Sequence, residues 1–71
     1  MADVTSVYKV IELVGTSTES WEKAASAAVA RAGQTLDDLR IAEVIELDMQ
    51  IENDSVVTYR AKVKVSFKYR D

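Results

Sequence analysis

Apolar and polar positions alternate most strictly over residues 56–70. From Val57 onward every odd position is apolar or aromatic: Val57, Tyr59, Ala61, Val63, Val65, Phe67, Tyr69. Every even position is polar or basic: Thr58, Arg60, Lys62, Lys64, Ser66, Lys68, Arg70. This period-two pattern predicts a β-strand with one buried face. At about 3.4 Å per residue it would span roughly 45 Å, more than twice the usual strand length. A chain of 71 residues has no interior that long. The strand must bend around something, or serve another subunit along part of its length.

The preceding chain divides at few breakers, since it has no Pro and only Gly15 and Gly33. Residues 4–14 are rich in β-branched and aromatic side chains (Val4, Thr5, Val7, Tyr8, Val10, Ile11, Val14) and predict a first strand. The neighbouring pairs Val10-Ile11 and Leu13-Val14 suit a strand covered on both faces, and Gly15 is expected to end it. Thr16, Ser17 and Thr18 are three candidate helix caps, Thr16 standing at capping-box spacing from Glu19. Glu19 and Glu22 suit the positive end of a helix dipole. An Ala-rich helix is predicted over residues 21–32, with Gly33 as its stop. Its apolar stripe, Trp21, Ala24, Ala25, Ala28, Val29 and Ala32, is built mostly of alanine. Such a face approaches a sheet closely but buries little area, at about 25 cal/mol per Å².

After a short turn or one helical turn at residues 36–39, residues 40–52 predict a second strand. Ile41, Ile45, Leu47, Met49 and Ile51 fall on one face, and Arg40, Glu46, Asp48, Gln50 and Glu52 on the other. Ala42 and Val44 interrupt the polar face, and Glu43 is an exception on the apolar one. Asn53-Asp54-Ser55 reads as the turn into the last strand. To bring both apolar faces to one side, paired residue numbers must sum to an even value. A three-residue turn centred on Asp54 pairs Ile51 with Val57 and Ile45 with Val63. It also sets Glu46 opposite Lys62 and Asp48 opposite Arg60, charge pairs worth roughly 0.2–1 kcal/mol each. The basic run thereby gains an acidic partner strand, and it is not read as a nucleic-acid patch.

Composition narrows the function further. There is no Cys and no His, and the net charge is −3. Disulfides are excluded, a structural zinc site is not expected, and a nucleic-acid partner is disfavoured. No membrane partner is expected either, because no apolar run reaches eighteen residues, and the expected location is the cytoplasm. One domain of this size, residues 1–71, has a marginal core of its own, so self-association is the expected support. No Ser-His, Cys-His or Gly-rich phosphate motif exists, and no enzyme is expected. Trp21 reads as core rather than as a ligand-stacking aromatic. Glu43 reads as one half of an inter-subunit salt bridge rather than as a site residue. Glu46, Asp48, Glu52, Asn53 and Asp54 offer oxygen ligands to a hard cation, but not at EF-hand spacing, and they read as a solvated charged face.

The whole order resembles the dodecin family. The likeness is carried by residues 8–17 (YKVIELVGTS), Ala30-Arg31-Ala32, Ala42-Glu43-Val44 and Val63-Lys64-Val65-Ser66-Phe67. The resemblance implies an α+β fold, βαββ, with a three-stranded antiparallel sheet partly wrapped around one helix and the last strand central. It also implies a hollow homododecamer that binds, stores or buffers a small ligand or ion. Family members commonly sandwich a riboflavin-type ligand between tryptophans at the start of the second strand, with a glutamine on the third. Those positions here are Ile41 and Arg60, both departures, and Glu43, Glu46 and Asp48 are candidate pocket neighbours. Flavin binding (riboflavin or FMN) is therefore expected to be weak or absent, because Ile41 offers no stacking surface. Residues 20–25 (SWEKAA) and 37–40 (DDLR) resemble the calcium-dodecin branch. Calcium is implied by that likeness alone, with its ligands unknown. A flavin-sequestering dodecin and a purely structural oligomer are the alternatives.

Overall fold

A computed structural model describes residues 6–69. The elements run β1 (Tyr8–Ser17), α1 (Trp21–Thr35), β2 (Leu39–Glu52) and β3 (Ser55–Lys68). They form a three-stranded sheet in the order β1-β3-β2, with both pairings antiparallel. The strand with the strictest alternation is thus the central one. Its odd positions Ala61, Val63 and Val65 meet Ala24 and Ala28 of the helix to form the core cluster, and Ala32 is buried further along the helix. The largest wholly buried side chains are two valines, Val63 and Val65.

The alanine stripe and Gly15 set how closely the helix lies on the sheet. The first strand does not end at Gly15, as the sequence led one to expect, but continues through it to Ser17. A Cβ at this position would lie 1.9 Å from the Ala24 carbonyl oxygen and 3.1 Å from the Ala28 Cβ. The glycine is there because helix backbone passes over it, and not to break the strand. None of Thr16, Ser17 or Thr18 is the helix cap. Ser20 is, its hydroxyl accepting from the Lys23 N–H at 3.1 Å. Ser17 instead accepts from the Glu19 N–H at 3.0 Å and shapes the approach to the helix. Gly33 does not stop the helix either. No glycine has a positive φ, so Gly33 never adopts the left-handed conformation such a stop requires, and the helix ends at Thr35.

The β2–β3 register follows the sequence reading in the middle and departs at both ends. Asn53 and Asp54 both have positive φ, at 51° and 63°, making a two-residue hairpin turn in place of the three-residue one. Ile51 accordingly pairs with Val56, not Val57. Val57 is bulged, which restores the even sum and sets Asp48 opposite Arg60 and Glu46 opposite Lys62. A second irregularity leaves Ile45 without a partner, so that Val63 pairs with Val44.

The chain is elongated. Its Cα radius of gyration is 14.9 Å, against about 11 Å for a compact domain of this length. Every residue of β2 after Leu39 is exposed, including Ile41, Val44, Leu47, Met49 and Ile51. Among the described residues no helix is long and apolar enough to cross a membrane.

Gly15→Ala should be among the most damaging single-methyl changes in the chain, because the obstruction is backbone and cannot rotate away. A loss of at least about 2 kcal/mol is expected, above typical overpacking of an adaptable site. Denaturant titration checks it, and Gly33→Ala, whose added Cβ would sit 3.7 Å from Leu39 Cδ1, should cost far less.

Candidate functional site

The Ile45 bulge turns the candidate residues to one face, although Ile41, opposite Ser66, stays six β3 positions away from Arg60. By strict alternation Ile41 and Glu43 would share the apolar face, apart from Glu46 and Asp48. The extra residue reverses parity, so that Glu43 lies opposite Lys64 and Ile41 opposite Ser66. Ala42 and Val44 move the other way, opposite Val65 and Val63 on the helix side. The placement of Ile41 and Glu43 on the apolar face is thus corrected. Ile41, Glu43, Glu46, Asp48 and Arg60 all occupy the face turned away from the helix.

On that face the basic row of β3 is flanked by acids. Arg60 grips Asp48 in a fork, with Nε donating to Oδ1 at 2.7 Å and Nη2 to Oδ2 at 3.0 Å. Lys62 Nζ lies 3.4 Å from Glu46 Oε1. Lys64 stands in register with Glu43 on one side and Glu12 on the other. The hydrogen bonds from Arg60 hold the Asp48 carboxyl below its ordinary range. Desolvation opposes this, and the charges of Arg60 and Lys62 add to it. The same contact raises Arg60. Both groups are about half exposed, so the pair confers orientation more than stability.

Sequence reasoning missed two participants. Glu12 joins the site only because β1 docks beside β3 through the helix crossover, whose register no turn chemistry announces. Trp21 is not part of the alanine core. It is half-buried at the start of the helix, its ring edge-on to Tyr59 with centroids 5.2 Å apart. Its indole N–H donates to the Asp48 carbonyl oxygen at 3.0 Å, tying the helix to the strand that carries the site.

The residues present fit a metal or flavin only in part. Among the described residues no three carboxylates gather closely enough to hold a metal ion. Calcium takes six to eight oxygens, and Asp48 already faces a guanidinium, so one chain does not form a calcium cage. Ile41 is 67 % exposed and aliphatic, which gives a flat aromatic ring an apolar contact but no π-stacking partner.

A small βαββ unit with a central third strand, a bare second strand and a charge-paired outer face defines the class of fold. The Dodecin family model matches residues 7–70, and the chain belongs to the dodecin family. It is 55 % identical over 65 residues to calcium dodecin of Mycobacterium tuberculosis, covering 92 % of each chain. A crystal structure of that protein, described as a calcium-chelating antigen with a novel calcium-binding site, matches with a TM-score of 0.82, over 92 % of this chain and 93 % of that one. Dodecin from Streptomyces coelicolor, 35 % identical, matches with a TM-score of 0.90 over 97 % of this chain and 99 % of its own.

The lowered Asp48 value carries a signed pH dependence. Its contribution is present above the unfolded carboxyl value of about 3.9 and is lost as the pH falls through the lowered folded one. Asp48→Asn should therefore melt below the wild type near neutral pH, with the gap closing in strong acid. A gap that persists there would show that Asp48 acts other than through Arg60.

Proposed function

We propose that residues 1–71 form one unit of a non-enzymatic, cytoplasmic homododecameric shell that binds and buffers a small ligand or ion, with calcium favoured over flavin. The carrying observation is the outer face of the sheet. An aliphatic Ile41 and an Arg60 clamped by Asp48 occupy the positions the resemblance assigns to the flavin pocket. Glu12, Glu43 and Glu46 lie on the same face, exposed to solvent. Because one chain does not close a cage, the proposed calcium site draws carboxylates from more than one copy, the mode in which a shell concentrates charge along its symmetry axes. The likeness to a calcium-chelating relative supports this reading.

The outer face also supports the absence of a nucleic-acid partner. Three of the bases on β3, Arg60, Lys62 and Lys64, stand opposite carboxylates within the sheet, leaving little unpaired charge for phosphate.

Calorimetry of the EDTA-stripped assembly with calcium, and separately with magnesium, tests the ion. Calcium should give a saturable heat and raise the melting temperature, as binding to the folded state requires, while magnesium should give little of either. The absence of both calcium effects would leave a purely structural oligomer. Riboflavin and FMN fluorescence should be quenched little at micromolar protein, and Ile41→Trp should increase that quenching by restoring a stacking surface. Strong quenching by the wild type would favour the flavin reading instead.

A further inference from the structure

Across the outer face the three strands line up in rows, and the rows differ in charge. Arg60 stands between Asp48 and Thr16, and Lys62 between Glu46 and Val14. Each of these rows holds one base and one acid, and each closes as an ion pair. Arg60 Nε lies 2.7 Å from Asp48 Oδ1, and Lys62 Nζ lies 3.4 Å from Glu46 Oε1. The next row is different. Lys64 stands between Glu12 on β1 and Glu43 on β2, two acids for one base. Among the described residues no ion pair joins Lys64 to either glutamate. All three side chains are exposed.

The sheet makes Lys64 the intermediary between the two acids. Neighbouring strands lie about 4.8 Å apart, so Glu12 and Glu43 face each other across a backbone gap of about 10 Å. The middle of that gap belongs to Lys64. A cation shared by the two glutamates therefore takes the place of the Lys64 ammonium.

Charge decides which cations gain by the exchange. With Lys64 in place the row carries one uncompensated negative charge. A monovalent ion exchanged for the ammonium leaves that charge as it was. A divalent ion brings the two charges that two carboxylates need for neutrality. No base of the adjoining row interferes, because that row is Val10, Ser66 and Ile41. The next base along β3 in that direction is Lys68, on the same face and about 14 Å away.

We propose that Lys64 is a tethered competitor for the divalent cation of the outer face. Its ammonium fills the place between Glu12 and Glu43, and the ion binds by displacing it. Lys64 thus sets how tightly calcium is held without being a ligand. This rests on the calcium binding proposed above and names the residue that tunes it.

Calcium calorimetry on the EDTA-stripped assembly tests the role, once native mass spectrometry shows that each variant keeps the wild-type mass. Lys64→Met keeps the apolar stem and removes the charge. It should bind calcium on the order of tenfold more tightly, the Coulomb effect of one charge about 5 Å from a divalent ion in water. Its melting temperature should also rise more with calcium than that of the wild type. Lys64→Gln should behave alike, and decides the matter if the methionine variant does not fold. Lys64→Arg, which keeps the charge, should stay close to the wild type. Lys68→Met removes an equal charge from beyond the Debye length of about 8 Å, and should change affinity by no more than about twofold. If the wild type binds calcium and the uncharged Lys64 variants bind it no more tightly, the role of Lys64 is overturned and the calcium reading stands. An equal gain in Lys68→Met overturns it in the same way. Binding by the Lys64 variants where the wild type binds none supports the role, and binding by neither overturns both readings.

Discussion

A helix and a strand of equal residue count have very different lengths, and this chain is shaped by that difference. Fifteen helical residues reach about 22 Å, while fourteen strand residues reach about 47 Å. One helix can therefore cover only about half of the hairpin laid beside it. Within the covered half, alanines on the helix, Gly15 beneath it and valines on β3 give a thin, closely approached core. Outside it, apolar side chains stand in solvent, and the radius of gyration reaches 14.9 Å. The fold by itself leaves that part of the hairpin without cover.

The sheet meets this constraint with two faces of different character. The helix-facing side is apolar and unfinished, with β2 exposed beyond Leu39. The other side is nearly balanced in charge, its cations on the central strand and its acids on the flanking strands. Bulges at Val57 and Ile45 separate these two chemistries. Without the one at Ile45, Glu43 would project into the apolar side and Val44 into the charged side. One extra residue resolves both conflicts, and the Trp21 indole then fastens the bulged strand to the helix through the Asp48 carbonyl.

That separation frames the binding chemistry of this family member. A flavin is held largely by stacking, Ile41 offers only an aliphatic surface, and Arg60, six positions along β3 from the residue opposite Ile41, is already committed to Asp48. A cation is held by oxygens, and the outer face presents carboxylates singly rather than in a cage. Both facts show that the described residues of one chain do not by themselves close a site for either ligand.

Much of this was legible from the residues. Alternation over residues 56–70 identified the longest strand, composition identified the helix and its alanine face, and charge parity paired Asp48 with Arg60 and Glu46 with Lys62. These signals are local or depend on one short turn, so neighbouring residues are enough to specify them. The sequence also showed that one chain could not bury such a strand alone. The tertiary structure decided what depends on contacts between distant segments. Gly15 looked like a breaker until Ala24 was seen to lie over it. Glu43 looked misplaced until the bulge turned it outward, and Glu12 had no visible link to the site until β1 docked beside β3. Packing against the helix selects these bulges and this docking, and no local pattern encodes a contact between residues fifty positions apart.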